Sequence, residues 1–129
     1  LSRAGHDVVI APLVGPEVIT GSTRLKAGTA TKLVLNTITT GAMVLLGKVY
    51  GNLMVELQVT CTKLQDRGER ILMETLGRSR EEVRELLEAA GGHVKRALVM
   101  GTLGVEADEA DRMLHQAEGV VSRVVGDLG

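Results

Sequence analysis

The residues best suited to chemistry lie together between Gly15 and Thr29. The run Gly21-Ser22-Thr23-Arg24-Leu25-Lys26 places a flexible glycine, two hydroxyls and two cations just ahead of an expected helix. A helix N-terminus offers free N–H groups and the positive end of the helix dipole, which suits a phosphate or carboxylate. Arginine can grip such a group with two parallel hydrogen bonds, whereas lysine acts as a point charge. Glu17 stands just past a candidate strand, where it could take a proton from a substrate or hold its hydroxyls; ligands of open α/β sheets bind at that strand edge. Residue types alone leave a plainer alternative, because a Ser/Thr-rich loop before a helix is often only a cap. On that reading Glu17 caps a turn and Lys26 is a solvated cation at a helix start.

The other reactive side chains read as structural. Cys61 falls in an apolar helical stripe with no local histidine partner, so it is expected to be an inert core thiol. His6, His93 and His115 are scattered and read as surface or turn residues, and no metal-ligand spacing stands out. Glu81, Glu82, Glu85 and Glu88 read as a solvated helix face. With one Tyr and no Phe or Trp, the chain lacks the aromatic platforms that single-stranded nucleic acid requires. The net charge of −1 is divided as six Lys/Arg against four Asp/Glu in residues 1–66 and nine against twelve in 67–129, so neither part would attract a polyanion. No run approaches the roughly 18 apolar residues of a membrane span. A single cysteine excludes an internal disulfide and points to a reducing compartment, so a cytoplasmic protein is expected.

The elements that must position the Gly15–Thr29 segment follow from periodicity. Asp7-Val8-Val9-Ile10-Ala11-Pro12 reads as a buried strand ended by proline. Since a lone strand cannot satisfy its own backbone, it is expected to be the last strand of a parallel sheet formed upstream, or to pair with another chain. No other segment reads as a strand. Residues 30–46 are apolar nearly all round, which predicts a buried helix. Asn52 is expected to cap a long helix over 53–76, with Leu53, Val55, Leu57, Val59, Leu64, Ile71 and Leu72 as its stripe and Gly77 as its terminator. Ser79 and Glu82 match a capping box. Three short helices then follow: one stopped by Gly91-Gly92, one holding Val94–Met100 and broken at Gly101 and Gly104, and one over 107–125.

The segment Gly15-Pro16-Glu17-Val18-Ile19-Thr20-Gly21-Ser22-Thr23-Arg24-Leu25-Lys26-Ala27-Gly28-Thr29, continued through Ala30-Thr31-Lys32-Leu33-Val34-Leu35-Asn36, carries a resemblance. It is similar to the signature shared by bacterial N-acetylmuramic acid 6-phosphate etherases and the glucokinase regulatory protein. Val49-Tyr50-Gly51-Asn52-Leu53-Met54-Val55 and Lys63-Leu64-Gln65-Asp66-Arg67 resemble the etherase pattern further on. The resemblance implies an α/β fold class, seen here as a mostly helical part. Residues 1–76 would hold the last strand and helices of a sugar isomerase (SIS), flavodoxin-like domain. Residues 77–129 would form a small three-helix bundle like a ubiquitin-associated (UBA) domain.

The activity implied is a lyase that cleaves the D-lactyl ether of N-acetylmuramic acid 6-phosphate. It yields N-acetylglucosamine 6-phosphate and D-lactate, in cell-wall amino sugar recycling. The family's chemistry uses no cofactor: one glutamate removes the C2 proton of the open-chain sugar, another assists departure of lactate, and water adds. The family is homodimeric. Its catalytic glutamates and main phosphate loop lie upstream of this signature, so the chain is expected to be one part of a longer protein and inactive alone. What it is expected to keep is a wall of the pocket, with Glu17, Ser22, Thr23, Arg24 and Lys26 as substrate-binding positions. The alternative is a non-catalytic sugar-phosphate-binding regulator of the glucokinase regulatory protein type.

Overall fold

Left-handed glycines and one serine cap punctuate the chain and fix where its helices end. The computed structural model describes residues 7–128. These form, in order, α1 Lys26–Leu45, β1 Val49–Tyr50, β2 Leu53–Met54, α2 Thr62–Leu76, α3 Arg80–Ala89, α4 Val94–Leu103, α5 Ala107–Gln116 and α6 Ser122–Val125. The architecture is thus mostly helical, with one small antiparallel sheet among the described residues. Contacts group the chain into two units, Leu1–Gly41 and Ala42–Gly129. Among the described residues no helix is long and apolar enough to cross a membrane.

In the first unit the strand expected at Asp7–Pro12 is not formed. Val8, Val9 and Ile10 are exposed, and no neighbouring strand among the described residues offers the ladder partners that an extended backbone requires. The expected burial of the next helix also fails, since α1 has no buried residue. Leu33, Leu35 and Ile38 are 61, 57 and 52% exposed. An all-round apolar helix is buried only where other elements surround it, and the described residues do not supply them. The hydroxyls of Thr31, Thr37 and Thr39 donate to the carbonyls of Ala27, Leu33 and Leu35. That four-residue back-bonding lets the threonine run stay helical without outside polar partners.

The second unit has a conventional core. α4 lies at its centre, with Val94, Ala97, Leu98, Val99, Met100 and Gly101 buried, and it packs against α2, α3, α5 and α6. Tyr50, Val55, Leu57, Ile71, Leu72, Val83, Leu87, Ala90, Ala110 and Val121 complete the cluster. Gly77, at φ 64°, ends α2 with its N–H on the Met73 carbonyl, the left-handed cap that glycine adopts without a Cβ penalty. The Ser79–Glu82 capping box opens α3 as expected. Residues 77–129, expected as a small bundle, lie in one contact unit with α2.

Four expectations for this unit are corrected. The long helix over 53–76 with Asn52 as cap is instead a hairpin, an extended run and the shorter α2. Val49 pairs with Met54 and Tyr50 with Leu53, around a turn that begins at Gly51 with φ 57°. Beyond it Val55 and Leu57 are buried while Glu56 and Gln58 are exposed, so the apolar residues at 53, 55, 57 and 59 follow the period of a strand. The Val94 N–H donates to the Leu57 carbonyl and the Val59 N–H to that of Gly92, stitching this run to the α3–α4 turn. Cys61 is consequently no core thiol: it is exposed at the N-cap position of α2. The helix expected over 107–125 divides into α5 and α6, because Glu118 and Gly119 adopt φ 55° and 77°. Gly104 does stop α4, but Gly101 lies inside it.

Gly101 sits where α4 meets α2 and α3. A Cβ there would lie 2.5 Å from Leu76 Cδ1 and 2.7 Å from Leu86 Cδ2. Gly101→Val is therefore expected to destabilise the chain by about 2 kcal/mol through overpacking. Urea unfolding of the two proteins measures this, and an unchanged midpoint would show that the helix crossing is not tight.

Candidate functional site

Four polar clusters have the residue types for chemistry, and their hydrogen bonds separate them. The most buried contains Glu69, whose side chain is 2% exposed. Its Oε1 accepts from Gln65 Nε2 at 3.1 Å and Arg84 Nε at 2.9 Å, and its Oε2 accepts from Arg80 Nη1 at 2.8 Å. Arg80 also donates to Asp66, which pairs with Arg70. The Arg84 hydrogen bond holds the Glu69 carboxyl below its usual range against the opposing cost of burial. A carboxylate saturated in this way joins α2 to α3 and is unsuited to moving protons. Sequence reading missed this cluster, although its signal was present: Gln65/Glu69 and Asp66/Arg70 on one helix and Arg80/Arg84 on the next are each four residues apart, hence on one face.

The second cluster ties the extended run after β2 and the α5–α6 connection to α4. Lys95 Nζ donates to Glu56 Oε2 at 2.5 Å and to the Gly119 carbonyl at 2.9 Å, with Lys48 Nζ 3.9 Å from the same carboxylate. The Lys95 hydrogen bond is the main cause of a lowered Glu56 pKa. The third is a fork between Arg96 and Asp111 at 2.7 and 2.6 Å. All three are internally satisfied, and no buried side-chain polar atom among the described residues lacks a partner. Nor do the described residues contain a group of three or more His, Cys, Asp or Glu that could hold a metal. His93 is the N-cap residue of α4 and His115 an exposed residue of α5, while His6 lies outside the described residues. Glu81, Glu82, Glu85 and Glu88 are all exposed, as expected.

The fourth cluster is the loop before α1, and it gathers the five residues singled out from sequence. Gly21, at φ 86°, turns the chain, and the Ser22 N–H donates to the Ile19 carbonyl at 3.0 Å. Thr23, Arg24 and Lys26 are exposed and Ser22 is half-buried. Neither Arg24 nor Lys26 forms an ion pair among the described residues. Two cations and two hydroxyls are thus presented on one short turn.

Glu17 stands apart from these four. Its Oε2 accepts from the Lys26 N–H at 3.1 Å and its Oε1 from the Ala27 N–H at 3.0 Å. The next N–H, of Gly28, donates to the Thr23 carbonyl at 2.9 Å, and that of Thr29 to the Leu25 carbonyl at 3.1 Å. The free N–H groups expected at this helix start are therefore already taken within the chain. The backbone hydrogen bonds, that from Ala27 foremost, hold the Glu17 carboxyl below its usual range.

No protein-family model matches the chain. Individual curated relatives do. The chain is 52% identical over 120 residues to the N-acetylmuramic acid 6-phosphate etherase of Mycolicibacterium smegmatis, covering 93% of this chain and 40% of that protein. It is 56% identical over 110 residues to the protein of that name from Nostoc punctiforme, covering 85% and 36%. It is also 56% identical over 115 residues to the one from Salinibacter ruber, covering 89% and 37%. The chain thus spans about 40% of the length of the curated relatives it matches.

The buried Glu69 gives this unit an acid-sensitive joint. Its folded-state pKa lies below the ordinary 4.5, so its contribution to stability is complete above that value and is lost as pH falls through the folded value. Glu69→Gln is expected to cost about 2 kcal/mol at pH 7, less than an enclosed pair would because both arginines remain solvated. It should also flatten the loss of stability on acidification below pH 4.5. Denaturant unfolding at pH 7 and across the acid range tests both, and an unchanged acid slope would remove Glu69 as the joint.

Proposed function

We propose, from the chain's homology to the N-acetylmuramic acid 6-phosphate etherases over nearly all its length, that it is part of a lyase of that kind. The complete protein would cleave the D-lactyl ether of N-acetylmuramic acid 6-phosphate to N-acetylglucosamine 6-phosphate and D-lactate. The observation that carries this reading is identity of 52–56% to relatives that bear the etherase name. It favours the lyase over the regulator, the other activity associated with the Gly15–Asn36 signature.

Within that protein we assign the Glu17–Lys26 loop to one wall of the sugar-phosphate pocket. The substrate carries two anionic groups, a phosphate and the lactyl carboxylate. Arg24 and Lys26 are cations without internal partners among the described residues, and Ser22 and Thr23 supply hydroxyls beside them. The planar guanidinium of Arg24 can donate two parallel bonds to either anion, with Lys26 adding charge. The carboxylates that abstract the C2 proton and assist lactate departure are assigned to the remainder of the protein, so this chain alone would be inactive. No cofactor is assigned to the reaction.

The proposal extends to the architecture. Residues 1–76 would complete a SIS domain, whose other elements cover Val8–Ile10 and the apolar face of α1; the exposure of Leu33 and Leu35 supports this. Residues 77–129, with α3, α4 and α5 around Val83, Leu98 and Ala110, would be the UBA-like bundle. A cytoplasmic homodimer is the assembly we assign.

The test uses the complete polypeptide that contains this sequence, with D-lactate release from N-acetylmuramic acid 6-phosphate as readout. Release at enzymatic rates is expected, and its absence would overturn the lyase assignment. In the active protein Arg24→Ala should lower kcat/KM roughly 10- to 100-fold, the loss expected for charge-assisted bonds to an anion. An unchanged kcat/KM would remove Arg24 from the pocket.

A further inference from the structure

We infer that Glu17 is a positioning residue, a clasp that closes the Ser22–Lys26 turn onto the start of α1 so that the turn's side chains, and not the helix's own N–H groups, receive the substrate anion. This rests on the sugar-phosphate reading above and narrows it. Glu17 lies nine residues before Lys26, and both its carboxylate oxygens are engaged with main-chain donors, at 3.1 Å to Lys26 and 3.0 Å to Ala27. The bonds span a loop whose interior holds Gly21 at φ 86°, a residue whose freedom would otherwise leave the turn loosely defined.

A second lock lies beneath the first. The Gly28 N–H meets the Thr23 carbonyl at 2.9 Å, and a Cβ on Gly28 would stand only 3.1 Å from that oxygen. Together the two locks consume the N–H groups of Lys26, Ala27 and Gly28. An incoming phosphate or carboxylate at this helix would therefore meet a carboxylate already in place. It would be repelled from the axis and must bind to one side, through Ser22, Thr23, Arg24 and Lys26. Glu17 is also poorly suited to be the base, since a carboxylate held below its ordinary range by two N–H donors gives up basicity at neutral pH.

The experiment compares the complete polypeptide with its Glu17→Gln and Glu17→Asp variants. Two readouts are taken: hydrogen exchange of the Lys26 and Ala27 amides, and the split between KM and kcat for D-lactate release. An amide side chain keeps one acceptor but turns an NH₂ toward the other donor, and aspartate is one methylene too short to reach both. Exchange at Lys26 and Ala27 should accelerate about tenfold in both variants, with KM raised about tenfold and kcat held within about threefold. A kcat lowered more than tenfold with amide protection intact would mean that Glu17 touches the reacting atoms, and would overturn the clasp. Unchanged exchange in both variants would overturn it as well. If the unaltered polypeptide releases no lactate, the etherase reading fails while exchange still decides the clasp; if Glu17→Gln does not fold, Glu17→Asp carries the same measurements.

Discussion

The constraint on which this chain depends is that buried or helix-terminal backbone donors and acceptors must be met by something. The segments differ in what meets them. At the start of α1 it is the Glu17 carboxylate. At the start of α3 it is the reciprocal pair Ser79 and Glu82. Along the extended run after the hairpin it is the backbone of the α3–α4 turn, through Gly92 and Val94. Where the described residues provide nothing, at Val8–Ile10, no strand forms. The same requirement therefore engages the first N–H groups of α1, shapes the second unit and leaves the first few described residues outside any strand.

Packing then divides the chain by how well it can cover itself. The second unit surrounds α4 with aliphatic side chains, and the single tyrosine, Tyr50, is buried with them. With so few aromatic rings, small residues let helices approach closely, as at Gly101, where a Cβ would displace the side chains of Leu76 and Leu86. Charge is handled locally: Glu69, Glu56 and Asp111 each have an arginine or lysine on another element. Such pairs fix how elements meet more than they add stability, since most of their partners keep contact with water. Arg24 and Lys26, like Lys32, Lys63 and Arg67, form no ion pair among the described residues.

Much of this was legible in the residues. Gly77, Gly104 and the Ser79/Glu82 pair mark helix ends because their chemistry is local, and the structure places them as read. The helical stripe expected over 53–76 hides the hairpin, because Leu53, Val55, Leu57 and Val59 are spaced by two, the period of a strand. Cys61 followed that error to the wrong environment. The break at Glu118 and Gly119 hid inside an apolar pattern that continued on either side. The exposure of α1 was not legible, because apolar periodicity states that a face will be covered and not where the cover comes from. At the candidate site, residue types single out the loop, but the pairing of Glu17 with two amides nine and ten residues away is a tertiary fact that spacing does not encode.

The most direct test of the account asks whether the Ser22–Lys26 turn meets the sugar phosphate at all. Hydrogen exchange of the complete polypeptide would be measured with and without saturating N-acetylglucosamine 6-phosphate, the proposed product, which is not consumed. The account predicts slowed exchange across Ser22–Leu25, with Lys26 and Ala27, already held by Glu17, little changed. Binding of the sugar phosphate with exchange in this turn unaltered would contradict it, and would place the pocket wall elsewhere in the protein.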